Sequence, residues 1–556
     1  NFQPHAHPAL PVPPCRATTS THNPEPPQKA SFATPMSYKR VDIFLLLTTL
    51  LTTVATATTS LTPAQGRGTL LQVQVIARHG ARTALTKTAT SLLEGGAALT
   101  PIGEKQLYDL GVWLRERYKH PLHLDLYESG KIHLQSSDFD RTVVSASSMA
   151  LGLFPKLSRS HANTTVLLPP DITPANVPVH TKDRLNDVDI RGYTLCPLIK
   201  TRLDALYDDA TFLNIESANE PLLMFLGKHK AFEYYTKDGK VELKELWNVY
   251  DSINVAKTEC DCLHCNTAPT CLALPDSSIK DYLTDTQWQH TIQTAHAVEH
   301  LKFGKETTES LIGANILKTV LTRMGSTPNQ PDDERRRLAH STDPGTTTTV
   351  NPKTLEHFIY FSSHYPTILG VFSTLNLIDL NPNTPVSDGG IPDYASALLF
   401  ELWRSSNDEY EVVAVFKDGD TLTSLVLPCQ TVNNEPCTLV QFAASIAAIT
   451  SKDSVNSDSQ WCTKCQNNVS DICMKETLIK YQINGGWSNF SIVVAAFVSM
   501  VLSIGGTVCC CLLFQKHNKA TNASNPRVEM SMGTRHGSKR ADIGMERLKE
   551  EEEDEV

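Results

Sequence analysis

Arg78-His79-Gly80-Ala81-Arg82 sets two guanidinium groups around an imidazole and a glycine. A guanidinium can fork onto phosphate oxygens, an imidazole can act as a nucleophile, and a glycine lets backbone come close to a ligand. That combination suits phosphoryl transfer. A second imidazole, His364, stands far along the chain in Ser363-His364-Tyr365-Pro366. Between them Ser136-Ser137-Asp138-Phe139-Asp140-Arg141-Thr142 offers a further arginine beside small hydroxyl residues.

The elements that would position these groups are legible from pattern. Leu71–Ala77 alternates apolar and polar residues and predicts a strand that ends at Arg78. Phe358–Phe361 predicts another strand, ending in a turn and a helix start at His364-Tyr365-Pro366. Ligands of open α/β sheets gather beyond the carboxyl ends of strands, so His79 and His364 can reach one pocket. Leu99–Tyr118 reads as a helix with Thr100 as N-cap and Pro101 in its first turn. Leu107, Leu110, Leu114 and Tyr118 line one face of it.

These four segments, in this order, resemble the histidine acid phosphatases, the acid phosphatase and phytase branch of the histidine phosphatases. The first is similar to the family's Arg-His-Gly-x-Arg-x-Pro signature, with Ala84 where the family has proline. The resemblance implies an α/β core sheet flanked by helices, with an inserted, mainly helical cap. It implies that His79 becomes a phosphohistidine while Arg78, Arg82, Arg141 and His364 hold phosphate oxygens. It requires no cofactor and no metal. The chain departs from the family at one telling place. The family's His-Asp is here His364-Tyr365, and that aspartate protonates the leaving alcohol. General acid catalysis is typically worth roughly 10²–10⁴-fold. A tyrosine, with an ordinary pKa of about 10, donates poorly beside a carboxylic acid. Esters whose leaving groups need no proton should therefore suffer least. The reading is a membrane-anchored acid phosphatase acting on phosphomonoesters. The alternative is a catalytically impaired relative that serves as a phosphoester-binding receptor or scaffold.

Composition and topology complete the picture. A net charge of −10 gives no support to nucleic-acid binding, which shows a basic excess. Residues 1–35 are set aside as a leader outside the fold. Residues 36–57 combine a basic flank, a short apolar run and Ala55-Thr56-Ala57, as a signal peptide does. An uncharged run within 490–514 is long enough to span a bilayer, with Lys516, Lys519 and Arg527 following it. This predicts a single-pass type I membrane protein of the secretory or endolysosomal system or the cell surface, with a cytoplasmic tail over 515–556 and the catalytic domain lumenal or extracellular.

The core is expected over 69–160 and 310–445, the cap over 161–309 and a Cys-containing stalk over 446–489. Ten cysteines between Cys196 and Cys473 argue for disulfides in an oxidising compartment. Cys429 and Cys437 resemble a local bridge of the family. Asn163 and Asn468 head glycosylation sequons.

Overall fold

The computed structural model describes residues 67–83, 97–124, 127–154, 177–260, 277–325, 355–430 and 436–475, apart from 383, 385, 387 and 388. All belong to one unit, Thr59–Val556. The expected leader, signal peptide, membrane span and tail, and Asn163, lie outside these residues. No helix among the described residues is long and apolar enough to cross a membrane.

The strands in chain order are β1 (Thr69–Arg78), β2 (Ile132–Ser136), β3 (Val179–Thr181), β4 (Thr236–Lys237), β5 (Lys240–Val241), β6 (Phe358–Ser363), β7 (Ala397–Arg404), β8 (Tyr410–Asp418), β9 (Thr421–Leu425) and β10 (Cys437–Thr438). β4 and β5 form a separate ribbon; the others form one sheet in the order β10-β8-β7-β1-β6-β2-β3, with β9 beside β8. β1, β6, β2 and β3 run parallel, whereas β7 pairs antiparallel with β1. Register places Arg78 opposite Ser363 and Ser136 opposite Ser362. The residues that follow these three strands, the candidate site residues, therefore emerge side by side at one edge of the sheet.

The α-helices of seven or more residues among the described residues are α1 (Pro101–Leu122), α2 (Asp140–Leu153), α3 (Pro197–Tyr207), α4 (Ala210–Ala218), α5 (Glu220–Leu226), α6 (Leu246–Cys260), α7 (Asp285–Phe303), α8 (Gly313–Gly325), α9 (Tyr365–Leu375), α10 (Leu439–Lys452) and α11 (Asp458–Cys465). The fold is thus α/β, a mixed sheet flanked by helices. On one side, Val73, Val75 and Ala77 of β1 share a core with Leu107, Leu110, Leu114 and Tyr118 of α1 and Met149 of α2. On the other, Ile76 belongs to a larger core with Leu317 of α8, Ile368 of α9 and Trp247 of α6.

The polar positions of β1 are buried as well. Gln72 and Gln74 are fully covered, and their amides donate to Arg323 O at 3.1 Å and Val320 O at 2.8 Å. Arg323 O is among the last four carbonyls of α8, which lack intrahelical donors, and Val320 O lies one turn earlier. Alternation along this strand separates two packed faces and not an inside from an outside.

Helix α1 begins as its sequence suggests: Gly103 N donates to Thr100 Oγ1 at 3.1 Å, with Pro101 in the first turn. It starts against the Arg-His-Gly loop. A Cβ on Gly80 would lie 2.4 Å from Gly103 O, and one on Gly103 would lie 2.0 Å from Ala81 O. The glycine of the first motif is therefore required by the helix behind it, a different reason from the close ligand approach that its type suggests.

Two stretches fall outside their expected roles. β3 joins the core sheet although it lies in the span assigned to the cap. Residues 446–475, placed in a stalk by their Ser and Cys content, include the second half of α10 and all of α11 and pack on the domain. Trp461 is 1% exposed and donates to Leu311 O at 2.8 Å. A disulfide joins Cys465 to Cys196, at the start of α3. Cys429–Cys437 and Cys462–Cys473 are also bonded. Asn468 is exposed, as a glycan acceptor must be.

Candidate active site

His79 and His364 meet edge-on, with ring centroids 5.6 Å apart. Together with Arg82, Arg141, Tyr193, Trp247, Tyr365 and Pro366 they line one narrow pocket. His79 is held from both sides: its N–H donates to Ser363 O at 3.1 Å, and its carbonyl accepts from Ala395 N at 3.2 Å. Its Nδ1 lies 2.8 Å from Gly80 O. A carbonyl can only accept, so Nδ1 carries the hydrogen and Nε2 carries the lone pair. Burial, followed by the charges of Arg141, Arg78 and Arg82, holds the pKa of His79 well below the usual histidine value. The imidazole is kept neutral under acidic conditions that would protonate a free histidine, which is what a nucleophile requires.

His364 is oriented by a short hydroxyl relay. Its Nε2 lies 2.9 Å from Ser137 Oγ, which lies 3.0 Å from Thr142 Oγ1. Thr142 Oγ1 is also 2.9 Å from the carbonyls of Ser137 and Phe139. Its single hydrogen goes to a carbonyl, so Ser137 donates to Thr142 and accepts from His364. His364 is the Nε2–H tautomer in this arrangement. Both relay hydroxyls lie in the Ser137–Thr142 segment that carries Arg141.

The three arginines differ in setting. Arg82 makes a two-pronged pair with Asp251 of α6, at 2.9 and 3.1 Å, with both side chains 2% exposed. Arg141 is 1% exposed and packs over Phe139, 4.6 Å from its ring centre. Arg184 and Arg191 approach the same ring at 4.2 and 4.9 Å, and the ring meets His364 edge-on at 5.6 Å. Arg78, expected with the other two, does not line the pocket. Its guanidinium donates to Pro392 O at 2.5 Å and lies against Tyr394 at 4.2 Å and Tyr365 at 5.4 Å.

Tyr365 lines the pocket, but its hydroxyl is committed elsewhere. It donates to Glu299 Oε2 of α7 at 2.7 Å, and Glu299 Oε1 is 3.0 Å from Lys302 Nζ. Glu299 is 0% and Lys302 1% exposed. Burial, then the Glu299 charge, raises the Tyr365 pKa well above the ordinary tyrosine value. A phenol that gives its hydrogen to a buried carboxylate and resists ionisation is a poor proton donor. Among the described residues, no carboxylate lines the pocket. Asp138 and Asp140, which flank Phe139, do not line it either.

Sequence reasoning missed Trp247, Asp251, Tyr193, Glu299 and the aromatic clamp on Arg78. Trp247 and Asp251 stand four positions apart on α6, which brings them onto one helix face; that spacing was the available signal. Nothing in the sequence marks Glu299 as the partner of Tyr365.

Cys260 is disulfide-bonded; Cys262, Cys265 and Cys271 lie outside the described residues. Among the described residues no group of three or more His, Cys, Asp or Glu side chains could hold a metal ion.

The chain is 25% identical to a lysosomal acid phosphatase of Xenopus laevis over 441 residues, 78% of this chain and 85% of that one. It is 25% identical to a prostatic acid phosphatase of Mus musculus over 407 residues, 71% and 88% of the two chains. Among solved structures, a phytase from Citrobacter braakii aligns with a TM-score of 0.47 at 14% identity, covering 68% of this chain and 98% of that one. A family model matches residues 87–417, a span that begins just past Arg82 and includes Arg141 and His364. By that match the chain belongs to the histidine phosphatase superfamily, branch 2.

Proposed function

We propose that this chain is a phosphomonoester hydrolase working through a phosphohistidine on His79. The observation that carries the reading is the meeting of a neutral, Nδ1-tethered His79 with His364, Arg82 and Arg141 in one buried pocket. Nε2 of His79 attacks phosphorus and the ester P–O bond breaks. Arg82 and Arg141 offset the charge on the non-bridging oxygens. His364, anchored through Nε2–H, stands edge-on to His79, and its Nδ1 can donate to a phosphate oxygen only in the imidazolium form. Arg78 supports the site from behind, its charge depressing the His79 pKa and its guanidinium fixing the loop through Pro392. Water then releases phosphate from His79.

In this reading Tyr365 is not a proton donor, and leaving groups that depart as stable anions, such as phenolates, are favoured. The relatives' names and the disulfides fit a lumenal or secreted domain. The apolar run within 490–514 would anchor it.

The direct test is to mix the full chain briefly with labelled aryl phosphate, quench, and map the label. An acid-labile, base-stable adduct on the peptide containing His79 is the expected result. Turnover without any such adduct would sink the mechanism. The absence of a carboxylate from the pocket lining favours one second reading, a phosphoester-binding receptor. Tight phosphate binding with no turnover of any ester would select it. Protease added to sealed microsomes tests the anchor: only the tail beyond Phe514 should be trimmed, and digestion of the domain would refute the topology.

A further inference from the structure

The acid position of the pocket is filled by an aromatic pair. The Trp247 indole lies nearly parallel to the Tyr365 ring, 5.9 Å away with 21° between planes, and Arg82 Cζ is 5.8 Å from its centre. Trp247 therefore spans from a phosphate-side arginine to the residue that replaces the family's proton donor. It lines the pocket and is 1% exposed. Its Nε1–H is buried and has no hydrogen-bond partner among the described residues. A dry, unpaired N–H is costly to keep, and native structures keep few of them. An indole N–H can only donate. A bound ester would bring an acceptor to it.

We infer that Trp247 is a catalytic residue whose indole N–H donates to the bridging oxygen as it leaves, an inference that rests on the phosphatase reading above. As the His79–phosphorus bond forms and the ester P–O bond breaks, the electron pair goes to the leaving oxygen. The indole stabilises that oxygen by a hydrogen bond and keeps its own proton; the departing alkoxide or phenolate takes a proton from water. A donor preorganised in a dry pocket is worth most where the most charge develops. The benefit is thus greatest for basic alkoxides and small for dinitrophenolate. The site has replaced proton transfer by hydrogen bonding, which rescues poor leaving groups only in part.

The test compares the full chain with Trp247→Phe, which keeps a ring against Tyr365 and removes the N–H. kcat/KM is measured over phosphomonoesters from 2,4-dinitrophenyl through phenyl to alkyl, with inorganic phosphate as a competitive inhibitor. A hydrogen bond to a charged group corresponds to roughly 10–100-fold. The expected result is a loss of that size for alkyl phosphate that shrinks steadily towards dinitrophenyl phosphate, with phosphate inhibition unchanged. Trp247→His, which retains a ring N–H, should fall between the two. An equal loss on every ester, weakened phosphate inhibition, or a histidine variant no better than phenylalanine would overturn the assignment. A wild type that cleaves no ester would remove the phosphatase reading and this inference together.

Discussion

The strand-borne wall of the pocket, where the proposed mechanism seats the phosphate, and the helix-borne wall, where it seats the departing alcohol, come from different parts of the chain. His79, Arg141 and His364 follow the carboxyl ends of three neighbouring parallel strands, β1, β2 and β6, where register alone brings them together. Trp247, Asp251 and Glu299 come from α6 and α7, helices inserted between those strands in sequence. The first end is cationic and tied to backbone carbonyls and hydroxyls. The second is aromatic, and its carboxylates are already engaged: Asp251 holds Arg82, and Glu299 holds a phenol and an ammonium. A sheet edge constrains phosphate-binding groups tightly, whereas a helical insertion is free to change what surrounds the leaving group.

The largest effect should come from the strand-borne end. His79→Ala should lower phosphatase activity by roughly 10⁴–10⁶-fold, as removal of a nucleophile does elsewhere, measured by steady-state turnover of an aryl phosphate. A variant retaining substantial activity would show that this end is not the chemical centre. Next is the replaced acid. Tyr365→Asp should raise the ratio of alkyl to aryl turnover by roughly 10²-fold or more. It also empties the space beside Trp247 and leaves Glu299 without its phenol donor, so a stability loss of about 3–5 kcal/mol should appear in urea titration. An unchanged ratio in a folded variant would mean that the leaving-group end does not limit catalysis.

How much of this was legible follows the same division. The strands, the Thr100-capped helix and the histidines and arginines were readable because strand period, cap chemistry and residue type are local properties. That Arg78 packs on Tyr394 and Tyr365 was not, since both arginines of the first motif look alike in sequence. Tyr365 was readable as a departure, but its commitment to Glu299 depends on how α7 crosses α9. The Cys-rich segment after 450 looked like a stalk because its composition is polar. Trp461 and the Cys196–Cys465 bond, both long-range, draw it onto the domain.

Two smaller effects test where the ends meet. Asp251 stands on α6 and Arg82 follows β1, so Asp251→Asn should remove a charged partner from the buried Arg82. Breaking such a pair costs about 3–5 kcal/mol, to be read from urea unfolding. Inorganic phosphate should stabilise the variant more than the wild type, because the anion takes over the vacated role. Equal stabilisation would place Arg82 outside the phosphate site.

The smallest effect concerns the turn before Tyr193. Asp187 is fully buried, and burial followed by the charge of Asp189 pushes its pKa up to about 7. Lys182 and Arg191 oppose that shift. The folded pKa exceeds the unfolded one, so the unfolded state loses its proton first. Asp187 therefore subtracts stability as pH rises from about 4 to 7, with a slope of at most about 1.4 kcal/mol per pH unit. Asp187→Asn should remove that slope from the pH–stability curve. His79 acts in the opposite sense. Its folded pKa is depressed, so its contribution is present above about 6.5 and is lost as pH falls below it. A curve in Asp187→Asn that still declines from pH 4 to 7 would assign the slope to another group.

β1 pairs with β6 on one side and with β7 on the other, and neither neighbour is made until the insertion has been synthesised. At translation rates of about 5–20 residues per second, roughly 15–65 s pass between completion of β1 at Arg78 and of β7 at Arg404. Until β6 is complete at Ser363, most of that interval, the strand leading to His79 has no sheet neighbour on either edge, and Ile76 lacks the α8 and α9 side chains that cover it. Synthesis of this protein should therefore depend on chaperones that hold extended apolar chain. A ribosome stalled before β6 should display a nascent chain that is protease-sensitive throughout its first ninety residues after Arg67.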